Sequence, residues 1–195
     1  EAFGTIFDLR RAQEWTADYR GIQWPVGPRA TPTVDGDRVY ILGADGKLFC
    51  LDVKTGSIIW KKDYVADYGV DRLKWAFDWG FASAPLVDGN RLICLVGGKP
   101  DAMVVTFDKM TGKEIWRALS SDGDLGVNQP IIVTAANTRQ LIIWYPGAVA
   151  SLDPATGKKY WEQPYKVGGS MTVAIPVQSG PNLFFTTFYD GPMML

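Results

Sequence analysis

The 195-residue sequence predicts an all-β fold, a β-propeller built of four-stranded antiparallel blades, with about four blades in the chain. Three observations carry that expectation. A nine-residue motif recurs as Asp52-Val-Lys-Thr55-Gly56-Ser-Ile-Ile-Trp60, Asp108-Lys-Met-Thr111-Gly112-Lys-Glu-Ile-Trp116 and Asp153-Pro-Ala-Thr156-Gly157-Lys-Lys-Tyr-Trp161, with eight positions from Asp to Trp each time. Pro32, Pro85, Pro130 and Pro176 each open an apolar segment and stand 53, 45 and 46 residues apart, a period of about 46. Between these landmarks, turns rich in glycine and aspartate separate short apolar runs, and no stretch of comparable length favours a helical period.

Taken along the chain, Phe3 to Asp8 reads as a third strand and Ala12 to Trp15 as a fourth. In this degenerate copy Asp8 lies seven residues before Trp15, and Arg11-Ala12 stand where the other copies have Thr-Gly. The first full repeat predicts strands at Thr31 to Val34, Arg38 to Leu42, Lys47 to Asp52 and Ser57 to Lys61. Asp35-Gly36-Asp37, Ala44-Asp45-Gly46 and Thr55-Gly56 supply its turns, where glycine adopts positive φ without the cost a Cβ imposes. Two further repeats follow, and Val173 to Val177 with Leu183 to Phe188 read as the first two strands of another blade. The whole chain, 1–195, reads as one propeller domain or part of one, with units at about 26–79, 80–125 and 126–170 and partial blades at 1–25 and 171–195. Partial blades at the two ends fit a four-bladed ring, or part of a seven- or eight-bladed ring completed by further chain or by a second copy. Light scattering separates the last case from the others.

The repeated residues have structural work. Gly56, Gly112 and Gly157 suit left-handed turns, Asp52, Asp108 and Asp153 suit hydrogen bonds to the turn backbone, and Trp60, Trp116 and Trp161 suit contacts between blades, as does Trp15.

Composition excludes much chemistry. There is no histidine, so Ser-His-Asp and Cys-His nucleophiles, His-ligated metals and imidazole proton shuttles are out. Charge is balanced at −1, from 20 basic and 21 acidic residues without a basic stripe, which gives no footprint for nucleic acid. No apolar run reaches the roughly 18 residues of a membrane span. Cys50 and Cys94 lie 44 positions apart in apolar runs, which predicts buried free thiols or one long-range disulfide, and no zinc ribbon. Asp35-Gly36-Asp37 and Asp122-Gly123-Asp124 lack the continuation of a calcium loop and read as turns, so no metal is expected.

The Asp-x-x-Thr-Gly-x-x-x-Trp repeat resembles the pyrroloquinoline quinone (PQQ) repeat, found in quinoprotein dehydrogenases and in non-enzymatic propellers that include an outer-membrane assembly lipoprotein. Gly27 to Tyr40 and Pro85 to Gly98 are similar to the PQQ-binding-like propellers of exported bacterial proteins. The resemblance implies a location outside the cytoplasm, periplasmic or extracellular, and members with seven or eight blades. In the dehydrogenases of the family a tryptophan and a disulfide of adjacent cysteines sandwich the quinone, and acidic and amide side chains hold calcium. This chain has no adjacent cysteines, no Cys-x-x-Cys-His haem motif and no histidine. A non-catalytic propeller without cofactor is therefore expected, one that scaffolds a protein or other macromolecule. A PQQ- and calcium-dependent dehydrogenase and a carbohydrate-binding module, with a glycan as partner, are the alternatives.

Ligands of propellers meet the connections between blades. The longest follows Trp60, Tyr64 to Trp79, with Trp75, Phe77 and Trp79 on one face of an extended segment beside Asp67 and Arg72. Trp24 and Arg29 occupy the connection before it, and Asn128 and Met171 later ones, which completes the candidate binding set.

Overall fold

The computed structural model describes residues 2–6, 15–18, 29–70, 80–120, 125–167 and 172–187. The chain opens with a hairpin of β1 (Ala2–Ile6) and β2 (Trp15–Asp18). The first four-stranded sheet is β3 (Thr33–Asp35), β4 (Arg38–Leu42), β5 (Lys47–Asp52) and β6 (Ile58–Asp63), followed by the short helix α1 (Tyr64–Tyr68). The second holds β7 (Leu86–Asp88), β8 (Arg91–Gly98), β9 (Ala102–Asp108) and β10 (Glu114–Ala118). The third holds β11 (Ile131–Ala135), β12 (Thr138–Tyr145), β13 (Ala148–Leu152) and β14 (Lys159–Pro164), and the hairpin β15 (Val177–Ser179) and β16 (Asn182–Phe184) comes last. Every sheet runs in sequence order and every pairing is antiparallel, the arrangement of successive propeller blades.

Proline sets where each blade begins. It has no N–H to give to a ladder, and Pro32, Pro85, Pro130 and Pro176 stand immediately before β3, β7, β11 and β15. The same rule moves two expected strands: β3 starts at Thr33 rather than Thr31, and β15 at Val177 rather than Val173. Strand β16 ends at Phe184, short of the expected Phe188, and β2 extends past Trp15 to Asp18, while positions 12–14 of the expected strand lie outside the described residues.

Alternation along the second strand of a blade sorts side chains between two faces. In β4, Tyr40 and Leu42 join Leu48 and Cys50 in a large core that continues through Leu92, Ile93 and Phe107 to Leu141 and Leu152. Val39 and Ile41 point the other way and cluster with Leu51. All three blades also place a register shift at the same point of their outermost pair, at Cys50/Leu51, Glu114/Trp116 and Ser151/Leu152. Sequence equivalence is thus preserved down to an irregularity.

Cys50 and Cys94 are buried free thiols in different blades. Burial pushes the Cys50 thiol up to about 11 and the Cys94 thiol up to about 12, so both stay protonated at neutral pH.

Candidate functional site

The motif turns are built alike. Asp52 Oδ1 accepts from the Lys54 and Thr55 amides at 2.9 and 2.8 Å and from the Thr55 hydroxyl at 2.9 Å. Asp108 Oδ1 does the same with Met110 and Thr111, while Asp153 accepts from the Ala155 amide at Oδ1 and from the Thr156 hydroxyl at Oδ2, the Thr156 amide donating to its backbone carbonyl. The glycine amide then donates back to the aspartate carbonyl, at 2.9 Å in Gly56 and 2.8 Å in Gly112 and Gly157. These glycines sit at φ of 71°, 69° and 75°, the left-handed region that other residues enter at a cost.

In the second and third blades this turn presents a flat glycine on which the previous blade lays its tryptophan. A Cβ on Gly112 would fall 2.8 Å from the Trp60 ring, and one on Gly157 would fall 2.5 Å from the Trp116 ring. Trp60 Nε1 donates to the Lys109 carbonyl at 3.1 Å, as does the Tyr40 hydroxyl, and Lys109 Nζ pairs with Asp35. One turn residue of the second blade is therefore held three ways by the first. Trp161 departs from the expectation: it remains 39% exposed, its Nε1 donates to Gln140 at 3.0 Å, and no described glycine lies against it.

The connection after β6 is not extended at its start. Asp63 caps α1 by accepting from the Val65 and Ala66 amides at 3.0 and 3.2 Å, and Gly69 closes it at φ 60°. Tyr64 and Tyr68 are its buried residues. The Tyr68 hydroxyl donates to Glu114 of the next blade at 2.9 Å, Arg117 lies 5.4 Å over the Tyr68 ring and also pairs with Glu114, and the Lys99 amide donates to the Tyr68 carbonyl. Burial, then the Glu114 carboxylate, raises the Tyr68 pKa above the ordinary phenol value. The start of the longest connection is thereby clamped to the second blade.

Of the candidate binding residues, Trp24, Arg72, Trp75, Phe77, Trp79 and Met171 lie outside the described residues. Arg29 is half-buried ahead of β3. Asp67 is exposed on α1, but its carboxylate accepts from the Asp63 amide at 3.0 Å, which turns it toward the start of its own helix. Asn128 is placed inside the molecule rather than on a loop surface. It is 3% exposed, its carbonyl accepts from the Ser83 hydroxyl at 2.9 Å, and its side-chain amide donates to the carbonyls of Trp144 and Thr172. The Asp35-Gly36-Asp37 sequence forms the β3–β4 turn, with Asp37 paired to Arg38. Sequence reasoning missed Tyr68, Glu114 and Arg117, whose only signal was an N-capping Asp63 and a Gly69 six residues later.

A family model described as outer membrane protein assembly factor BamB matches residues 4–193. The chain belongs to this family. It is 25% identical over 189 residues to the outer membrane protein assembly factor BamB of Burkholderia pseudomallei (strain K96243), covering 83% of this chain and 48% of that one. It is 30% identical over 153 residues to the quinohemoprotein alcohol dehydrogenase ADH IIB of Pseudomonas putida, covering 76% of this chain and 18% of that one. Among solved structures it is similar to BamB from Moraxella catarrhalis, with a TM-score of 0.59 and 16% identity over 94% of this chain and 52% of that chain. The sheets are therefore propeller blades, and the chain spans about half the length of the BamB relatives. Among the described residues no helix is long and apolar enough to cross a membrane.

Proposed function

We propose that this chain is a non-catalytic propeller that binds a protein partner through the connections between its blades, as an assembly factor outside the cytoplasm. One observation carries the reading beyond family membership. The longest connection is anchored at its start by the Tyr68–Glu114–Arg117 cluster, which ties α1 to the second blade just before the aromatic stretch of the sequence. Aromatic residues are the usual carriers of protein-binding energy.

The absence of histidine and of an adjacent cysteine pair supports a reading without the quinone of the family's dehydrogenases. Cys50 and Cys94 stand on β5 and β8, in different blades and 44 positions apart, unlike the adjacent cysteines that hold the quinone in those enzymes. The Asn128 amide is turned to backbone carbonyls. Titration with PQQ and calcium is expected to give no thermal shift and no absorbance change.

The reading is tested by affinity capture from a bacterial envelope extract. The Trp75→Ala/Trp79→Ala variant is expected to retain the melting temperature and lose at least one protein captured by the parent chain. An unchanged set of captured proteins would remove Trp75 and Trp79 from the site.

A further inference from the structure

In every blade the residue opposite the motif tryptophan carries a hydroxyl or a thiol. Cys50 stands across from Trp60, Thr106 from Trp116 and Ser151 from Trp161. Cross-strand partners share a face of the sheet, so each blade directs a small polar group and an indole N–H to the same side. The first and third blades satisfy both groups. Trp60 Nε1 donates to the Lys109 carbonyl of the next blade, and the Cys50 thiol meets the Tyr40 hydroxyl. In the third blade one side chain serves the two, since Gln140 Oε1 accepts from Ser151 Oγ at 2.7 Å and from Trp161 Nε1 at 3.0 Å.

The second blade keeps the polar pair without either solution. Trp116 is 8% exposed and Thr106 is fully buried, yet the indole N–H and the Thr106 hydroxyl have no hydrogen-bond partner among the described residues. The register gives the reason. Ile93 stands beside Thr106 where Tyr40 stands beside Cys50, and its side chain offers no polar atom. Arg91 precedes Ile93 by two positions, as Gln140 precedes Ile142, but a guanidinium only donates and this one is turned to Asp88. The Trp116 ring is also seated differently. A Cβ on Gly157 would fall nearest its Cε3, Cδ2 and Cζ3, all in the six-membered ring, whereas one on Gly112 would fall nearest Cδ2, Cε3 and Cγ of Trp60. Nε1 of Trp116 accordingly makes no bond to the carbonyl of Pro154, the buried counterpart of Lys109 in the third blade.

Buried polar groups left unpaired cost free energy, and native proteins satisfy such groups with internal water where several converge. We propose that the contact between the second and third blades binds one ordered water molecule. It accepts from Trp116 Nε1, shares a hydrogen bond with Thr106 Oγ1 and donates to the Pro154 carbonyl. At the same point of the repeat, the first and second blades are joined by a direct indole-to-carbonyl bond, and the second and third through solvent.

A high-resolution crystal structure of the chain tests this, with a water expected within hydrogen-bond distance of both Thr106 Oγ1 and Trp116 Nε1. Thr106→Val supplies a second readout, because it keeps the shape of the side chain and removes only the hydroxyl. With the water bound, the variant loses one of its hydrogen bonds and is expected to melt a few degrees below the parent. An unpaired hydroxyl gives the opposite sign, since a methyl in its place relieves a buried unsatisfied group. Thr106→Ser, which restores the hydroxyl found at Ser151, is expected to retain the water in its own crystal structure. A parent structure with no water at these two atoms, or a Thr106→Val variant melting at or above the parent, would overturn the proposal.

Discussion

Trp116 and Trp161 occupy the same position of the same motif, yet one is 8% exposed and the other 39%. The difference lies in what each ring faces. Trp116 rests on Gly157, whereas no described glycine turn rests on Trp161. A motif residue is therefore a half-contact, and its energetic weight is decided by the next repeat. Nearest-neighbour architectures work this way, since each unit buries its face only against an adjacent unit.

The largest way to sharpen that comparison is to truncate both rings. Trp116→Ala should destabilise by about 3–5 kcal/mol, because it empties a packed contact between the second and third blades. Trp161→Ala should cost about 1 kcal/mol or less in the single chain, as for other partly exposed side chains. Urea titrations measure both quantities, and equal losses for the two substitutions would erase the distinction between the buried and the partly exposed ring.

The glycine side of the contact offers a smaller test. Gly157→Ala adds a methyl 2.5 Å from the Trp116 ring at φ 75°, whereas Gly36→Ala adds one at φ 59° with nothing within 4 Å. Both carry left-handed strain of about 1–2 kcal/mol, and only the first adds overpacking of about 1–3 kcal/mol. Gly157→Ala should therefore melt several degrees below Gly36→Ala. Coincident melting curves would mean that the tryptophan ring gives way without cost.

The sequence exposed the blades because each repeat states its own boundaries. Proline marks where pairing starts, Asp-x-x-Thr-Gly marks the last hairpin, and eight residues separate Asp from Trp. The contact made by each tryptophan was also legible in principle, since a glycine at positive φ leaves a flat surface. Its failure at Trp161 was not, because occupancy depends on what another segment supplies. Helix α1 escaped because five residues are too few for a 3.6-residue period to appear, so that its caps, Asp63 and Gly69, were the only trace. Asn128 was misplaced for a related reason. A connection near Pro130 reads as surface, but Ser83 and Thr172 from neighbouring connections close over it, and sequence distance hides that meeting. The binding aromatics remain a reading of the sequence alone, since 71–79 lie outside the described residues.

The smallest effect concerns the aspartates that shape the glycine turns. Hydrogen bonds from the Thr55 amide and hydroxyl hold the Asp52 carboxyl below the usual carboxylate range, and the Thr111 hydroxyl and amide do the same for Asp108. A group whose folded pKa is depressed stabilises the native state above its unfolded value, near about 4, and that contribution is lost as pH falls through the folded value. Melting temperature should thus hold level from pH 7 to about pH 5 and decline below about pH 4. Both aspartates are at the surface, where solvent screening keeps the effect slight. Asp108→Asn keeps the shape of the turn but cannot gain a proton, so its loss between pH 7 and pH 3.5 should be smaller than that of the parent chain. Because Asp108 shapes the turn under Trp60, the same variant should melt lower than the parent at pH 7. An identical acid decline in the two proteins would show that protonation acts elsewhere and that the Gly112 seat is held by the tryptophan alone.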